Sequence, residues 1–265
     1  MNLNNDTISL ITVLYKHDID ILKTMIKSVV TTLQFCPFQY EFLFYDTDEY
    51  HKDFFNKYRN TDNLFYYSGP NLGYCGGNNY LIDKSSGKYI IIINPDIEIR
   101  ESLCFDWLIG TNKLYNNNCI VGKLVGTNEW YTYPASFPTD KMYDPENLPF
   151  YYDQHTLDKE GNWKKLPYID GSLMSFTKNL FNEIGGFDED FFPGYFGENA
   201  FCYKACLNGY ELANGYIKNL YLHHSHKTPQ QIVKNKAITK SARQHFYKKY
   251  ALPNWTHFIN FLDSY

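Results

Sequence analysis

The chain has 265 residues, of which 44% are hydrophobic and 20% are charged, an ordinary composition for one sizeable globular unit. Its formal net charge of −4 argues against a nucleic-acid partner, because proteins that neutralise phosphates usually carry a clear basic excess. No apolar run approaches the roughly 20 residues that span a bilayer, and the cysteines form no C-x-x-C pair. The composition therefore predicts a cytoplasmic protein, soluble or peripheral to a membrane, without a transmembrane segment.

The first hundred residues alternate between apolar strands and helical patterns. Helical spacing of apolar residues predicts a helix at 19–33. Strands are predicted at residues 8–14, 41–45, 63–67 and 89–93. The last of these is apolar throughout, as in a parallel strand covered on both faces. We expect an α/β fold with a mostly parallel central sheet flanked by helices, and a Rossmann-like nucleotide-binding half over about residues 1–100.

The second half of the chain, about residues 101–230, is less regular. Its predicted elements are a helix from 101 to about 115, strands at 119–124 and 173–176, and helices at 178–184 and 201–207. The aromatic stretch from Trp130 to Pro167 lacks periodicity and is expected to form loops over a cleft. About residues 231–265 form a basic C-terminal helical tail, and the whole chain, 1–265, is predicted to be a single domain.

A lone acid follows the apolar strand at 89–93. Pro95 ends ladder pairing there, so Asp96 is expected to project beyond the edge of the sheet. Open α/β sheets bind their ligands at the carboxyl ends of the strands, and a carboxylate in that place can hold a divalent cation beside a diphosphate. By itself Asn94-Pro95-Asp96 is a common turn, so the interpretation depends on neighbouring motifs.

Seven short motifs follow one another through most of residues 8–228. The most specific are N-L-G-Y-C-G-G-N-N at 71–79 and G-G-F-D-E-D-F-F at 185–192. The others are Thr12–Tyr15, Asp46–Asp48, Asn94–Asp96, Asp170–Ser172 and His223–Thr228. In this order they resemble the motifs of the family 2 inverting nucleotide-sugar glycosyltransferases, in particular the rhamnosyltransferase-like branch. The resemblance implies a GT-A-like fold and a carbohydrate-transferring enzyme. It also implies that about residues 101–230 form the acceptor and catalytic half, fused to the nucleotide-binding half.

The resemblance also implies a nucleotide site. The residues it assigns there are Tyr15, Asp46, Asn71, Gly73, Asn79 and Asn94. Tyr15 would stack on the base and Asp46 would accept its imide N–H; the alternative is a core tyrosine and an ordinary turn aspartate. The glycines of the 71–79 segment would allow close backbone approach and positive φ. One of Asn78 and Asn79 would bond the ribose, and the other would cap the following helix.

Metal binding is the next implication. Asp96 would ligate Mn²⁺ or Mg²⁺ together with the diphosphate of the donor, and His223 would be the second protein ligand. An imidazole ligand fits Mn²⁺ better than Mg²⁺, and His224 and His226 are alternatives to His223. Asn94 replaces the first carboxylate of the stricter D-x-D motif, so metal affinity should depend more on the bound nucleotide.

The acceptor side carries the expected base. Alignment on Phe201-Cys202 places Glu198 at the position where the family has its catalytic carboxylate, which takes a proton from the acceptor hydroxyl. Asp170 and Gly171 would lie on the acceptor side, and the acids at 188–190 are alternative bases with a more structural location. The predicted partners are a UDP- or dTDP-sugar donor and a glycan or glycolipid acceptor. The alternatives are a non-catalytic binding relative and a nucleotidyltransferase.

Overall fold

The computed structural model describes residues 6–58, 61–125, 168–215 and 220–224, together with 237–239, 241–242, 244–246 and 248–250. In these residues the strands are β1 (Thr7–Leu14), β2 (Gln39–Thr47), β3 (Leu64–Gly69), β4 (Tyr89–Ile93), β5 (Ile97–Ile99), β6 (Cys119–Val125), β7 (Tyr168–Thr177), β8 (Glu211–Asn214) and β9 (Tyr221–His223). The helices are α1 (Ile19–Leu33), α2 (Lys52–Asn56), α3 (Gly73–Lys84), α4 (Cys104–Leu114), α5 (Lys178–Ile184) and α6 (Gly197–Leu207). The aromatic stretch from Trp130 to Pro167 lies outside the described residues.

A seven-stranded sheet forms the centre of the molecule, in the order β3-β2-β1-β4-β7-β6-β8. Strands β3, β2, β1 and β4 are parallel, β7 runs antiparallel to both β4 and β6, and β8 is parallel to β6. A separate antiparallel pair, β5 and β9, was not predicted because each strand has only three residues. The predicted α/β class and mostly parallel central sheet are confirmed.

The sheet separates two hydrophobic clusters, and β4 shows why. All five of its residues are buried, but alternate side chains of a strand point to opposite faces. Tyr89, Ile91 and Ile93 join the cluster that contains residues of α1 and α4, whereas Ile90 and Ile92 join the one containing residues of α3 and α6. A continuous apolar run therefore forms a strand that is covered on both sides.

Several predicted boundaries agree with the structure residue for residue, namely those of α1, β4 and α5. Helix α1 begins after Asp18, whose carboxylate accepts hydrogen bonds from the backbone N–H groups of Asp20 and Ile21. Gly185, at a φ of +79°, ends α5 in the left-handed conformation. No described helix has the length and apolarity needed to cross a membrane.

The 71–79 segment is not the predicted turn, because α3 already begins at Gly73. Gly73 alone among its glycines has a positive φ, at +68°, so this part of the prediction is right for one glycine and wrong for Gly76 and Gly77. Both of these lie inside the helix, and a Cβ at Gly77 would approach the Val13 methyl groups at 2.8 Å. Close packing on β1 therefore explains why glycine stands at position 77, although glycine has a low helix propensity.

Three further elements extend beyond their predicted limits. Asp46 and Thr47 end β2 instead of forming a turn after it, because they pair with β3 at Ser68 and Gly69. The predicted turn at Asp170–Ser172 lies within β7. Helix α6 begins at Gly197, four residues before the predicted start at Phe201.

Candidate functional site

The carboxyl ends of β1, β2 and β4 meet at one edge of the sheet. Because β7 is antiparallel to β4, with Ile93 opposite Leu173, the beginning of β7 lies at the same edge. The backbone N–H of Asn94 donates to the carbonyl of Ser172 at 2.8 Å, and the Thr12 hydroxyl donates to the Ile93 carbonyl at 2.8 Å. The sheet therefore brings the predicted donor-side and acceptor-side residues to one region.

Tyr15 follows β1 directly, and its side chain is 54% exposed. The alternative of a core tyrosine is therefore wrong. Its backbone N–H donates to Nδ1 of His17 at 3.0 Å, which fixes the loop after β1. An exposed aromatic ring at this edge is available for stacking on a planar ligand.

Asp46 is fully buried at the end of β2 and accepts three hydrogen bonds. The donors are the backbone N–H of His51 at 2.6 Å, Nδ1 of His51 at 2.8 Å and the Tyr66 hydroxyl at 2.8 Å. A carboxylate has about four acceptor positions, so three donors nearly satisfy it. A contact between Asp46 and a bound base would require movement from this arrangement, and that assignment stays a prediction.

His51 is held between two acceptors. Its Nδ1 faces Asp46 and its Nε2 lies 2.9 Å from the carbonyl oxygen of His17. Since a carboxylate and a carbonyl oxygen both accept, the imidazolium form of His51, with a proton on each ring nitrogen, satisfies both contacts. Burial alone would lower the pKa of His51, but the hydrogen bonds that its ring donates to Asp46 and to the His17 carbonyl, together with the Asp46 charge, raise it above the ordinary value.

His17 is a site residue that the sequence did not indicate, since it belongs to none of the seven motifs. Its Nδ1 accepts the Tyr15 N–H, so the neutral ring carries its proton on Nε2. Burial lowers the pKa of His17, although the nearby Asp96 charge opposes this. Because its pKa is lowered, the His17 side chain is neutral at neutral pH.

The start of α3 is built by Asn71 and Gly73. The Asn71 side-chain oxygen accepts the Gly73 N–H at 2.9 Å. A Cβ at Gly73 would lie 2.9 Å from both the Phe192 ring and the Pro193 carbonyl oxygen, so only glycine fits. These contacts explain on structural grounds why Asn and Gly occupy these two positions. Their contact with a nucleotide stays a prediction.

Asn79 links α3 to the 185–192 segment. Its side-chain oxygen accepts the Phe187 N–H at 2.9 Å, and its amide nitrogen donates to the Phe187 carbonyl and to Glu189, each also at 2.9 Å. The neighbouring Asn78 is buried and donates to the Tyr74 carbonyl. Asn79 therefore has a complete set of protein partners in this structure, and a nucleotide contact stays a prediction.

Asp96 and His223 are brought together by the β5–β9 pair, in which Ile97 lies opposite His223. Asp96 Oδ2 and His223 Nε2 are 2.8 Å apart. Burial would raise the pKa of Asp96, but the hydrogen bond from His223 and the positive charge of its protonated ring lower it overall. Both side chains are partly exposed, at 21% for Asp96 and 43% for His223.

The other two histidines of the late motif differ from His223. His224 Nε2 lies 2.7 Å from Glu98 instead of Asp96, and His226 lies outside the described residues. The described part of the chain contains no cluster of three or more His, Cys, Asp or Glu side chains arranged to hold a metal. Of the residues predicted to bind the metal, the structure therefore places one carboxylate and one imidazole together, and their binding of a metal stays a prediction.

Glu198 lies in the first turn of α6, beside β7. A Cβ at Gly171 would lie 3.4 Å from the Glu198 Cβ, so the two acceptor-side elements are in contact. Burial raises the pKa of Glu198 to about 7; its own backbone N–H opposes the rise, and the Asp170 charge adds to it. The side chain remains partly accessible.

The alternative acids at 188–190 have other partners. Asp188 pairs with Lys204 at 2.8 Å and Lys249 at 3.1 Å, and Asp190 pairs with Lys249 at 2.9 Å. Because these lysines belong to α6 and to the C-terminal residues, the two aspartates join separate parts of the chain. The contacts support the structural location expected for them and leave Glu198 as the acid with the most base-like environment.

Known glycosyltransferases share this fold. S. aureus TarS 1–349, solved in complex with UDP-GlcNAc, superposes with a TM-score of 0.55 at 13% identity, over 85% of this chain and 60% of that one. The mannosyltransferase PcManGT from Pyrobaculum calidifontis, solved with GDP-Man and Mn²⁺, gives a TM-score of 0.53 at 10% identity, over 97% and 78%. At such identities the likeness defines the fold alone.

A sequence relative is the low-salt glycan biosynthesis hexosyltransferase Agl10 of Haloferax volcanii. It is 30% identical over 145 residues, which make up 52% of this chain and 44% of that protein. The matched region therefore spans less than half the length of this curated relative. No model of a known protein family matches the chain.

Proposed function

We propose that the protein is a metal-dependent inverting glycosyltransferase of the GT-A type that moves a hexose from a UDP- or dTDP-sugar to a hydroxyl of a glycan or glycolipid. The observation that carries the proposal is the position of Glu198, a partly accessible carboxylate with a pKa near 7, next to the sheet edge that holds Asp96 and His223. The shared fold and the named hexosyltransferase relative support the same class.

The donor would lie across the ends of β1, β2 and β4. Tyr15 offers an exposed ring for the base, and Asn71, Gly73 and Asn94 lie at the beginning of α3 and the end of β4. Asp96 and His223 would hold Mn²⁺ or Mg²⁺, which neutralises the departing diphosphate when bound. The solved neighbour that contains GDP-Man and Mn²⁺ supports this arrangement by its fold.

In the reaction, Glu198 would remove the proton of the acceptor hydroxyl while that oxygen forms a bond to the anomeric carbon. The bond between this carbon and the diphosphate oxygen breaks, and the nucleoside diphosphate leaves with the electron pair. Attack from the face opposite the leaving group inverts the configuration. A carboxylate with a pKa near neutrality is a suitable proton acceptor, because general bases work best when their pKa lies close to the working pH.

Release of free nucleotide from UDP-, dTDP- and GDP-sugars, with and without Mn²⁺, tests the activity. Glu198→Gln should lower transfer by about 10²- to 10⁴-fold and leave donor binding, measured by thermal shift, nearly unchanged. Glu183→Gln is the matched control, because Glu183 is an exposed glutamate of α5. Native transfer by Glu198→Gln would exclude it as the base.

A binding protein without turnover is the second candidate. Gly197 and Ala200 stand where the family resemblance expects acids, and a Cβ at Gly197 would lie only 2.2 Å from the Cys75 sulfur, so no larger side chain fits there without rearrangement. Stabilisation by a nucleotide sugar without any nucleotide release would favour this candidate. The cytoplasmic location and the contact with a membrane surface stay predictions.

A further inference from the structure

We infer that Tyr74 of α3 is a positioning residue for Glu198, because its side chain packs between β7 and the beginning of α6. The inference rests on the proposed function for the role of Glu198 as the base, but the packing itself is a property of the folded chain. It gives a residue of the 71–79 segment, which the family resemblance places on the donor side, a part in holding the acceptor-side base.

The hydroxyl end of Tyr74 lies against β7. It donates a hydrogen bond to the Gly171 carbonyl at 2.8 Å, and a Cβ at Gly171 would lie only 2.6 Å from its oxygen. The same Cβ would lie 3.4 Å from the Cβ of Glu198. The Tyr74 hydroxyl and the Glu198 side chain therefore meet the same backbone position of β7, and glycine leaves room for both.

The other end of Tyr74 lies against the residues that lead into α6. Its backbone N–H donates to the Pro193 carbonyl at 2.8 Å. A Cβ at Gly194 would lie 2.8 Å from the Tyr74 Cβ, and one at Gly197 would lie 3.9 Å from the Cδ1 atom of its ring. Because Gly197 directly precedes Glu198, the ring packs against the backbone that carries the base.

Tyr74 is itself held in place by two further contacts. Its carbonyl accepts the Asn78 amide N–H at 2.9 Å. Its ring meets Phe187 edge to face, with the ring centres 5.9 Å apart, which is a favoured geometry for an aromatic pair. The ring therefore has a defined position from which it supports α6.

This support matters because a base must lie within hydrogen-bonding distance of the proton that it removes. A displacement of about 1 Å can lower the rate of a reaction by about 10²-fold. Without the Tyr74 ring, the first turn of α6 would have space to move. The loss should therefore appear in kcat for transfer and not in binding of the donor.

The test compares Tyr74→Leu, which removes the ring, with Tyr74→Phe, which removes only the hydroxyl group. Tyr74→Leu should lower kcat by about 10- to 10²-fold and change the donor KM by less than about twofold. Tyr74→Phe should retain most of the native kcat, because it keeps the ring contacts with Gly194 and Gly197. Gly194→Ala is a second variant if Tyr74→Leu does not fold. Its methyl group would press on the Tyr74 Cβ and should lower kcat in the same way.

Tyr89→Leu is the matched control. Tyr89 is fully buried at the beginning of β4, and its hydroxyl donates to Asn117 at 2.7 Å. The candidate site lies at the other end of this strand, so the control should lose stability but keep the native kcat while it is folded. An equal loss of kcat in Tyr89→Leu would indicate a general effect of removing a packed tyrosine and would overturn the inference.

A role through Glu198 also predicts effects that do not add. In the Glu198→Gln background, Tyr74→Leu should lower the residual transfer rate little further. A structural role alone would lower it by the same factor as in the native chain, and that result would overturn the inference. Native kcat in both Tyr74→Leu and Gly194→Ala would do so as well.

A measurement without substrate separates this inference from the proposed function. It is the ¹³C signal of the Glu198 carboxyl in the full chain with labelled glutamate, assigned through its absence in Glu198→Gln. The signal should move in Tyr74→Leu and stay in place in Tyr89→Leu. A moved signal, together with a native chain that releases no nucleotide, would reject the transferase and retain the positioning of Glu198 by Tyr74. Nucleotide release by the native chain with an unchanged signal in Tyr74→Leu would do the reverse.

Discussion

The two ends of the candidate site use carboxylates differently. On the donor side, Asp46 is fully buried and satisfied by His51 and Tyr66, and Asp96 is paired with His223. On the acceptor side, burial raises the pKa of Glu198 to about 7, and no lysine, arginine or histidine of the described residues contributes to this shift. An acid that is paired with a histidine is held in place and has a lower proton affinity. A buried acid without a cation beside it keeps the higher proton affinity that a base needs.

The largest effect should come from Asp46→Ala, because it leaves the His51 imidazolium buried without its partner. Breaking a buried ion pair in this way costs about 3–5 kcal/mol of unfolding free energy, measurable by chemical denaturation. Asp48→Ala is the control, since Asp48 is 54% exposed and lies 3.7 Å from Lys16, so its loss should change stability little. Equal effects of the two variants would contradict the charged state assigned to His51.

The second-largest effect should come from Asp96→Asn, which disrupts the Asp96–His223 pair. The substitution keeps the shape of the side chain and removes its charge. If Asp96 holds the metal, metal-dependent kcat/KM should fall by about 10²-fold. Glu98→Gln is the matched control, because Glu98 of β5 makes a similar pair with His224, directly after β9, and has no proposed metal role. A loss of the same size in both variants would indicate damage to the β5–β9 pair instead of a metal site.

Asn79→Ala should have a smaller effect, about 1–3 kcal/mol of unfolding free energy, because the backbone groups of Phe187 lose their partners. Asn182→Ala, at an exposed position of α5, is the comparison. Asn79→Ala also distinguishes the structural role of Asn79 from its predicted contact with the nucleotide. Native stability with a raised KM for the donor would favour the nucleotide contact.

The pH dependence should be the smallest effect, because two histidines of the donor side oppose each other. Because the pKa of His51 is raised in the folded state, protonated His51 stabilises the fold. This stabilisation is fully present below the unfolded pKa of 6.5 and is lost as the pH rises through the folded pKa. The lowered pKa of His17 has the opposite sign, since its contribution is lost as pH falls through the folded value. Unfolding of the native chain and of His51→Gln, measured from pH 5.5 to about 8.5, should separate them. If the unfolding free energies of the native chain and of His51→Gln changed with pH in the same way, the pKa of His51 would not be raised in the folded state.

The sequence by itself determined the elements whose signals are local. Apolar periodicity predicted the limits of α1, a continuous apolar run predicted those of β4, and Gly185 predicted the end of α5. Each of these signals depends on residues within a few positions. Motif order indicated the class of site, and alignment on Phe201-Cys202 singled out Glu198.

Only the tertiary structure decided which side chains meet. Thirty-four residues separate His51 from the His17 carbonyl, and 108 separate Asn79 from Phe187, so no local pattern indicates these bonds. The same holds for the glycines of α3 and for Gly197 at the start of α6, where close packing outweighs low helix propensity. Hydrogen-bond partners and close packing are set by the arrangement of distant segments, which periodicity does not contain.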